Sequence, residues 1–252
     1  MDDATPESTD PADAFAALSD PARVAILRAL WETDSRDLSF SELRAAVGVD
    51  DSGRFNYHVG KLTDRFVRKT EDGYRLRLAG IRVLGAIFSG VVTEDGSVEP
   101  LPFEEPCPLC DGPMTFSYEN EYVSVTCDDC DRFSMRYPVP PGVFTPYDRA
   151  ELPRIAESYA RSMLARADDG FCSICEGHLV PALLPGSETT DLGEWELDDV
   201  PFVVYTCERC GQRLTSDLGV ALLSRPLVAG FFYDRGVDVR DAPLLSFVAA
   251  HE

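Results

Sequence analysis

Residues 107–130 read CPLCDGPMTFSYENEYVSVTCDDC, with a Cys-x-x-Cys pair at each end and an alternating stretch between the pairs. The tight turn of such a pair directs both thiols at one ion, and two pairs supply the four thiolates that structural zinc prefers. Apolar and polar residues alternate on both sides of Glu119-Asn120-Glu121, which predicts a β-hairpin. The segment therefore predicts a zinc ribbon.

All eight cysteines of the chain belong to Cys-x-x-Cys pairs. The last two pairs enclose residues 176–206, where strands are predicted around His178–Leu184 and Pro201–Thr206. Eight thiols make two four-thiolate sites, so we expect two structural zinc ions per chain. Two crossed pairings stay open, but the simplest combines neighbours in sequence and gives the ligands Cys107, Cys110, Cys127 and Cys130, and Cys172, Cys175, Cys207 and Cys210.

Other interpretations of the cysteines fit less well. A disulfide framework needs an oxidising compartment, whereas the chain opens with the acidic stretch MDDATPESTD and no apolar signal segment. A thioredoxin-like redox site uses one motif on a βαβ unit, not four. Closed four-thiolate sites leave no position for water, and no catalytic constellation stands out elsewhere. We therefore expect a cytoplasmic protein that is not an enzyme.

The composition bounds the class of protein. The 252 residues have room for two or three small domains, and 44 Asp and Glu against 23 Lys and Arg give a net charge of −21. Only Lys61 and Lys69 are lysines. An acidic, lysine-poor chain fits a halophilic cytoplasm with molar salt, and an ordinary acidic protein is the alternative. Because no run of 18 apolar residues exists, no membrane-spanning helix is expected.

The charge is distributed unevenly along the chain. Residues 51–82 contain eight basic residues against four acidic ones, whereas residues 101–252 contain 11 against 26. A basic island in so acidic a chain indicates a polyanionic partner such as double-stranded DNA. The acidic carboxy-terminal part is expected to bind a protein, a small effector or a second subunit instead.

Residues 11–92 predict five helices and one hairpin after a disordered tail at 1–10. In the fourth helix, about residues 52–64, Phe55, Val59 and Leu62 form one buried stripe, and the opposite face is polar and basic. That face is either a contact surface or merely solvated. The alternating segment 65–79 around Asp72-Gly73 predicts a basic hairpin, and a fifth helix covers about 78–92. Helices followed by such a hairpin are the order of a winged helix-turn-helix.

The stretches FAALSDPARVAILRAL, LSFSELRAAVGV and FNYHVGKL resemble the ArsR-type winged-helix transcription regulators, and the layout with two ribbons is similar to regulators of salt-loving archaea. The resemblance covers about residues 12–92. It implies that the fourth helix enters the DNA major groove and that the first and last helices form a homodimer through Phe15, Leu18, Leu84, Ile87 and Phe88. The alternative for these five residues is the core of the single chain. The third helix lacks the cysteines of the metal-sensing members, so metal sensing there is unsupported.

From the exposed face of the fourth helix and from the hairpin we predict the residues that contact DNA. Arginine suits guanine and asparagine suits adenine. These residues are Ser52, Arg54, Asn56, Tyr57 and Lys61 in the helix and Arg68, Lys69, Arg75 and Arg77 in the hairpin. His58 lies about 60° from the buried stripe and either packs or contacts a base, while His178 is a surface histidine rather than a zinc ligand.

The predicted fold class is α+β, a winged helix-turn-helix followed by two zinc-ribbon-like units joined by a helix. The expected domains are the DNA-binding domain at 11–92, a linker at 93–106, the first ribbon at 107–145, a connecting helix at 146–168, and the second ribbon with a helical tail at 169–252. The expected function is sequence-specific transcription regulation. A basal transcription factor that binds RNA polymerase and a thiol-based redox sensor are the alternatives.

Overall fold

The computed structural model describes residues 10–33, 37–130, 132–189 and 200–248. The chain forms two compact units that divide between Thr93 and Glu94, and both combine helices with small antiparallel sheets, so the predicted α+β class is confirmed. Residues 1–9 of the predicted tail lie outside the described residues, as does most of the acidic segment 188–199 of the sequence. Within the described ranges, no helix has both the length and the apolar character needed to cross a membrane.

In its described residues, the first unit contains five helices and one hairpin. In chain order they are α1 (Pro11–Ala16), α2 (Pro21–Glu32), α3 (Phe40–Val47), α4 (Ser52–Leu62), β1 (Val67–Lys69), β2 (Tyr74–Leu76) and α5 (Leu78–Phe88). Local chemistry fixes the helix ends: Ser39 and Glu42 form a reciprocal capping box at the start of α3, and Gly48 ends that helix at φ 71°. α5 is four residues shorter than predicted, because Gly90 takes a left-handed conformation.

The core of the first unit joins α2, α3, α4 and α5. Its fully buried side chains include the predicted α4 stripe of Phe55, Val59 and Leu62. Ile26, Leu27, Leu43 and Leu84 are fully buried as well. Leu84 was expected at a dimer interface, but it has no exposed surface in the single chain. It therefore belongs to the interior of the unit, and that part of the predicted interface is wrong.

The hairpin forms where the sequence predicts it, but its turn is centred one residue earlier. Strand pairing ends at Lys69 opposite Tyr74, and the amide of Thr70 donates to the carbonyl oxygen of Gly73 at 2.8 Å, so Glu71 and Asp72 occupy the tip. Gly73 is needed for another reason. A Cβ there would lie 2.1 Å from the carbonyl oxygen of Leu38, whose backbone pairs with Tyr74.

Among its described residues, the second unit contains two antiparallel sheets and three α-helices. The four-stranded sheet has the order β3 (Ser97–Phe103), β4 (Met114–Glu119), β5 (Tyr122–Cys127) and β6 (Ser134–Pro138). The connecting helix α6 spans Leu152–Asp168. A three-stranded sheet follows, with β7 (Leu179–Pro185), β8 (Pro201–Cys207) and β9 (Arg213–Asp217), and then α7 (Leu218–Ala221) and α8 (Pro226–Tyr233).

The segment 93–106, predicted to be a linker, contains the edge strand β3. This strand pairs with β4 from Ser97 opposite Glu119 to Phe103 opposite Met114, with an irregularity between Val98 and Leu101. Prolines at 100 and 102 favour a linker in the sequence. An edge strand accommodates proline because its outward amides need no partner, so the segment is part of the sheet.

The carboxy-terminal tail packs on the first sheet and α6 rather than on the second ribbon alone. Buried Leu244 and Leu245 join the core that β4, β5 and α6 build with Phe116, Val123 and Ile155. The Arg161 guanidinium on α6 donates to the carbonyl oxygens of Val239 and Ala242 and fastens the tail. The predicted division at 169–252 therefore cuts through one shared core.

Candidate metal centres and a polar helix face

The eight cysteines assemble into two clusters in the sequential pairing, each at the end of one sheet. The four sulfur atoms of each cluster lie within 4.8 Å of one another. Short knuckles hold one pair and the ends of β5 or β8 hold the other. The clusters are Cys107, Cys110, Cys127 and Cys130, and Cys172, Cys175, Cys207 and Cys210.

The sulfur separations match a tetrahedral zinc site. Zn–S bonds of about 2.3 Å in a tetrahedron place sulfur atoms about 3.8 Å apart. In the first cluster, Cys107 and Cys130 are 3.9 Å apart at Sγ, and Cys110 and Cys127 are 3.5 Å apart. The corresponding distances in the second cluster are 3.8 Å and 3.5 Å. A disulfide requires about 2.05 Å. The clusters are consistent with two structural zinc ions per chain, as predicted.

Backbone amides donate to several of the sulfur atoms, and in each cluster they favour the thiolate form of one cysteine. The amides of Leu109 and Ile174 donate to the first sulfur of their knuckles at 3.4 Å. A hydrogen bond from the Arg132 amide is the main reason that the pKa of Cys130 is lowered to about 7. A hydrogen bond from the Cys210 amide is the main reason that the pKa of Cys207 is lowered to about 6. Each cluster thus holds a thiol that ionises near neutral pH without a metal.

Glycine explains how the knuckles of each cluster approach one another. The first knuckles read CPLCDG and CSICEG, and Asp111 and Glu176 in them take positive φ values of 58°. A Cβ at Gly177 would lie 3.1 Å from the sulfurs of Cys175 and Cys207, and one at Gly112 would lie 2.8 Å from Asp129. The glycine of the Cys-x-x-Cys-x-Gly pattern was the sequence signal for this close packing. The spacing of the cysteines alone does not reveal it.

The two histidines singled out in the sequence are placed differently. His178 is exposed, lies outside the thiol cluster, and pairs through Nδ1 with the Glu208 carboxylate at 3.0 Å. This confirms that it is a surface residue. His58 is buried beside Arg23, whose Nε lies 3.4 Å from His58 Nδ1. Because His58 is buried, it does not belong to the polar face of α4. Of the two roles considered for it, packing or contact with a base, the structure supports packing.

The polar face of α4 is exposed as the sequence predicts. The buried side chains of the helix are Phe55, His58, Val59 and Leu62. All five predicted contact residues on the other side are exposed: Ser52, Arg54, Asn56, Tyr57 and Lys61. The Lys61 ammonium lies 5.5 Å from the centroid of the Tyr57 ring. A Cβ at Gly60 would meet nothing within 4 Å, so the packing of the unit does not require a glycine there.

The four basic residues of the hairpin fall into two groups. Arg68 and Lys69 on β1 are exposed. Arg75, in contrast, is held by Asp37, whose carboxylate accepts from Arg75 Nε at 2.9 Å and also pairs with its Nη2. Arg77 donates to the backbone carbonyl oxygen of Asp64. The structure thus gives Arg75 and Arg77 intramolecular partners that the sequence did not reveal.

Replacing Arg75 by alanine is expected to destabilise the first unit. The Arg75 guanidinium is the main cause that lowers the pKa of Asp37 below its usual 3.8. The contact therefore stabilises the fold while Asp37 is ionised, and its contribution disappears as the pH falls through the lowered pKa. Thermal unfolding should show a lower Tm for Arg75→Ala at neutral pH, and the difference should shrink as the pH falls below 3.8, the usual pKa of an aspartate carboxyl. Lys69→Ala is the control, and an equal Tm loss in it would contradict the assignment.

Comparison with known proteins matches the two units to separate family models. A family model described as a domain of unknown function, DUF7347, matches residues 11–87, within the first unit. A second, also described as a domain of unknown function, DUF7351, matches residues 104–252, within the second unit. No curated protein and no solved structure matches the chain. Because the second match covers more than half of the residues, the chain belongs to the DUF7351 family.

Proposed function

We propose that the chain is a sequence-specific DNA-binding transcription regulator of the ArsR-like winged helix-turn-helix type, cytoplasmic and homodimeric. The observation that carries the proposal is the division of α4 into two faces. Phe55, Val59 and Leu62 anchor the helix in the core, and the face with Arg54 and Lys61 is left to solvent. An anchored helix with a basic exposed face suits insertion into the major groove.

The connection between α3 and α4 supports the proposal. α3 ends at Val47 and α4 begins at Ser52, so four residues join them, and the first is a left-handed glycine, Gly48. A short turn with glycine between two helices is typical of the helix-turn-helix. The hairpin β1–β2 follows α4 directly, in the position of a wing.

The chemistry of the exposed face fits base and phosphate contacts. Arg54 and Lys61 supply charged donors, and Asn56 supplies the amide that pairs with adenine. Glycine at position 60 costs about 1 kcal/mol relative to alanine in an exposed helix, and among the described residues no atom lies close enough to exclude a Cβ there. Close approach of the helix backbone to a DNA groove would account for it.

The wing contributes less than its four basic residues suggest. Arg68 and Lys69 are the side chains offered to DNA phosphates, because Arg75 and Arg77 already have partners in the unit. We therefore assign phosphate contacts to the β1 pair and a structural role to Arg75. The acidic second unit, whose zinc ribbons are structural, is assigned to protein or ligand binding rather than to DNA.

The proposed dimer uses an apolar surface of the first unit, which we define by Phe15, Trp31, Phe88 and Val91. These side chains are 74%, 50%, 46% and 46% exposed, and the rings of Trp31 and Phe88 lie 6.0 Å apart. Large exposed apolar side chains of this kind are typical of a subunit interface. A second copy on a two-fold axis would cover them and double the DNA contacts.

Replacing Phe88 by glutamate is expected to give a folded monomer that has lost operator binding. The ring is nearly half exposed, so a charge there need not enter the core, whereas it would oppose itself across a two-fold interface. Sedimentation and circular dichroism measure the two effects. Leu84→Glu is the contrasting variant and should unfold the unit, since Leu84 is fully buried. A Phe88→Glu dimer of unchanged strength would contradict the proposed surface.

A genome-wide map of bound DNA tests the regulatory function in cells. The proposal predicts discrete peaks that share one motif. Occupancy of most promoters without a shared motif would contradict sequence-specific regulation and would favour a basal factor that travels with RNA polymerase.

A further inference from the structure

A half-open cavity of about 340 Å³ lies in the second unit, above one face of the sheet β7–β8–β9. Its floor is formed by Leu179 and Pro181 of β7 and by Val203 and Tyr205 of β8. These four residues share a face because Pro181 is opposite Tyr205 in the register and alternate residues point the same way. The end of α6 forms one wall, and Leu222 and Arg225 after α7 form the other.

The size and lining of this cavity suit a small molecule. Ligand cavities in proteins measure about 300–1,000 Å³ and combine an apolar lining with a few polar groups. An apolar cavity of about 150 Å³ in another protein already binds benzene. The cavity here has more than twice that volume, and most of its lining is aliphatic or aromatic.

The polar groups of the cavity offer hydrogen-bond donors. Both Asp168 oxygens are engaged, one by the Arg225 guanidinium at 2.5 Å and one by the Ser224 hydroxyl at 2.8 Å. Tyr205 is only 4% exposed and lines the cavity, yet among the described residues its hydroxyl has no hydrogen-bond partner. A hydroxyl that no protein group engages is free to donate a hydrogen bond to a ligand in the cavity.

The charges of the cavity favour an uncharged ligand. The Arg225 charge is balanced by Asp168, and a further carboxylate, Asp169, lies in the same wall. An anion would therefore add negative charge where Arg225 is already paired with Asp168, and His178, which also lines the cavity, is paired with Glu208. A carbonyl group accepts a hydrogen bond without that charge.

We propose that this cavity binds an uncharged, largely aromatic or aliphatic molecule whose carbonyl oxygen accepts a hydrogen bond from Tyr205. The apolar body would lie on Leu179, Pro181 and Val203, and Leu222 would close the rim. This proposal does not depend on DNA binding by the first unit, because every lining residue belongs to the second unit.

Three matched naphthalenes test the chemical class on the full-length, zinc-loaded chain. Acetylnaphthalene carries a carbonyl, ethylnaphthalene has the same shape without an acceptor, and naphthoate is an anion. Calorimetric or fluorescence titration should find the tightest binding for acetylnaphthalene. Equal binding of acetylnaphthalene and ethylnaphthalene, or tightest binding of naphthoate, would overturn the assigned class, and no binding of any of the three would overturn the site.

Two variants locate the binding. Tyr205→Phe keeps the ring and should weaken acetylnaphthalene about three- to tenfold while leaving ethylnaphthalene unchanged. Leu222→Trp should fill the rim and abolish binding of both, and Leu227→Trp is its control, because Leu227 is 89% exposed on α8 and does not line the cavity. Two zinc ions per chain and an unchanged circular dichroism spectrum establish folding. If Leu222→Trp fails that criterion, Tyr205→Phe decides alone, and unchanged acetylnaphthalene binding in it would refute the proposal.

Discussion

Replacing Cys110 by serine is expected to lower the zinc content from two ions to one per chain and to unfold the first ribbon. Its sulfur lies 3.5 Å from that of Cys127, and a hydroxyl in its place does not supply the fourth thiolate. Structural zinc in small peptides contributes on the order of 10–16 kcal/mol to folding. The four-stranded sheet also packs against α6 and the carboxy-terminal tail, so these elements should lose order as well.

Metal analysis and hydrogen exchange on the same sample measure this effect. The first unit has its own core and should keep its protected amides. Cys175→Ser is the matched variant, because CSICEG repeats CPLCDG, and it should release the other zinc while the four-stranded sheet persists. Two zinc ions per chain in the folded, reduced Cys110→Ser protein would show that the first cluster is not a zinc site.

Replacing Arg54 and Lys61 together by alanine is expected to weaken specific DNA binding at least tenfold. One good side-chain contact to a base contributes about 1–3 kcal/mol, and both residues lie on the exposed face of α4. The Tm should not fall. Alanine is the best helix former, and the cap of α4 uses the Arg54 backbone amide rather than its side chain.

A variant with the same loss of charge controls for long-range electrostatics. Arg136 and Arg154 are exposed in the second unit, and their double replacement by alanine removes two positive charges far from α4 in sequence. This control should bind like the wild type. If both double variants bind equally well, or lose affinity equally, the orientation proposed for α4 is wrong.

The parts of the structure that depend on local spacing could be predicted from the sequence. Two residues between two thiols favour a knuckle, so the eight ligands follow from the cysteine positions. The sequential pairing was the simplest of three, and the structure shows it. The buried stripe of α4 follows in the same way from the periodicity of Phe55, Val59 and Leu62.

The parts that depend on distant partners could not be predicted. The sequence around each residue does not show that Asp37, which precedes α3, binds Arg75 on β2 or that Leu84 lies in the core. The sequence of β3 resembles a linker because its prolines disfavour a strand in general, although an edge strand accommodates them. The cavity is built from α6, β7, β8 and the segment after α7, which are far apart in sequence. The Tyr205 hydroxyl can be identified as a free donor only from the structure, because none of the described residues is its hydrogen-bond partner.

The most direct test of DNA recognition is selection of bound duplexes from a random pool by the purified, zinc-loaded protein. Selection should be run at low and at molar salt, because phosphate contacts weaken steeply with salt whereas base contacts carry the sequence preference. We expect enrichment of one motif with two inverted half-sites about one helical turn apart. A pool that stays random at both salt concentrations, while zinc content and fold are intact, would contradict it.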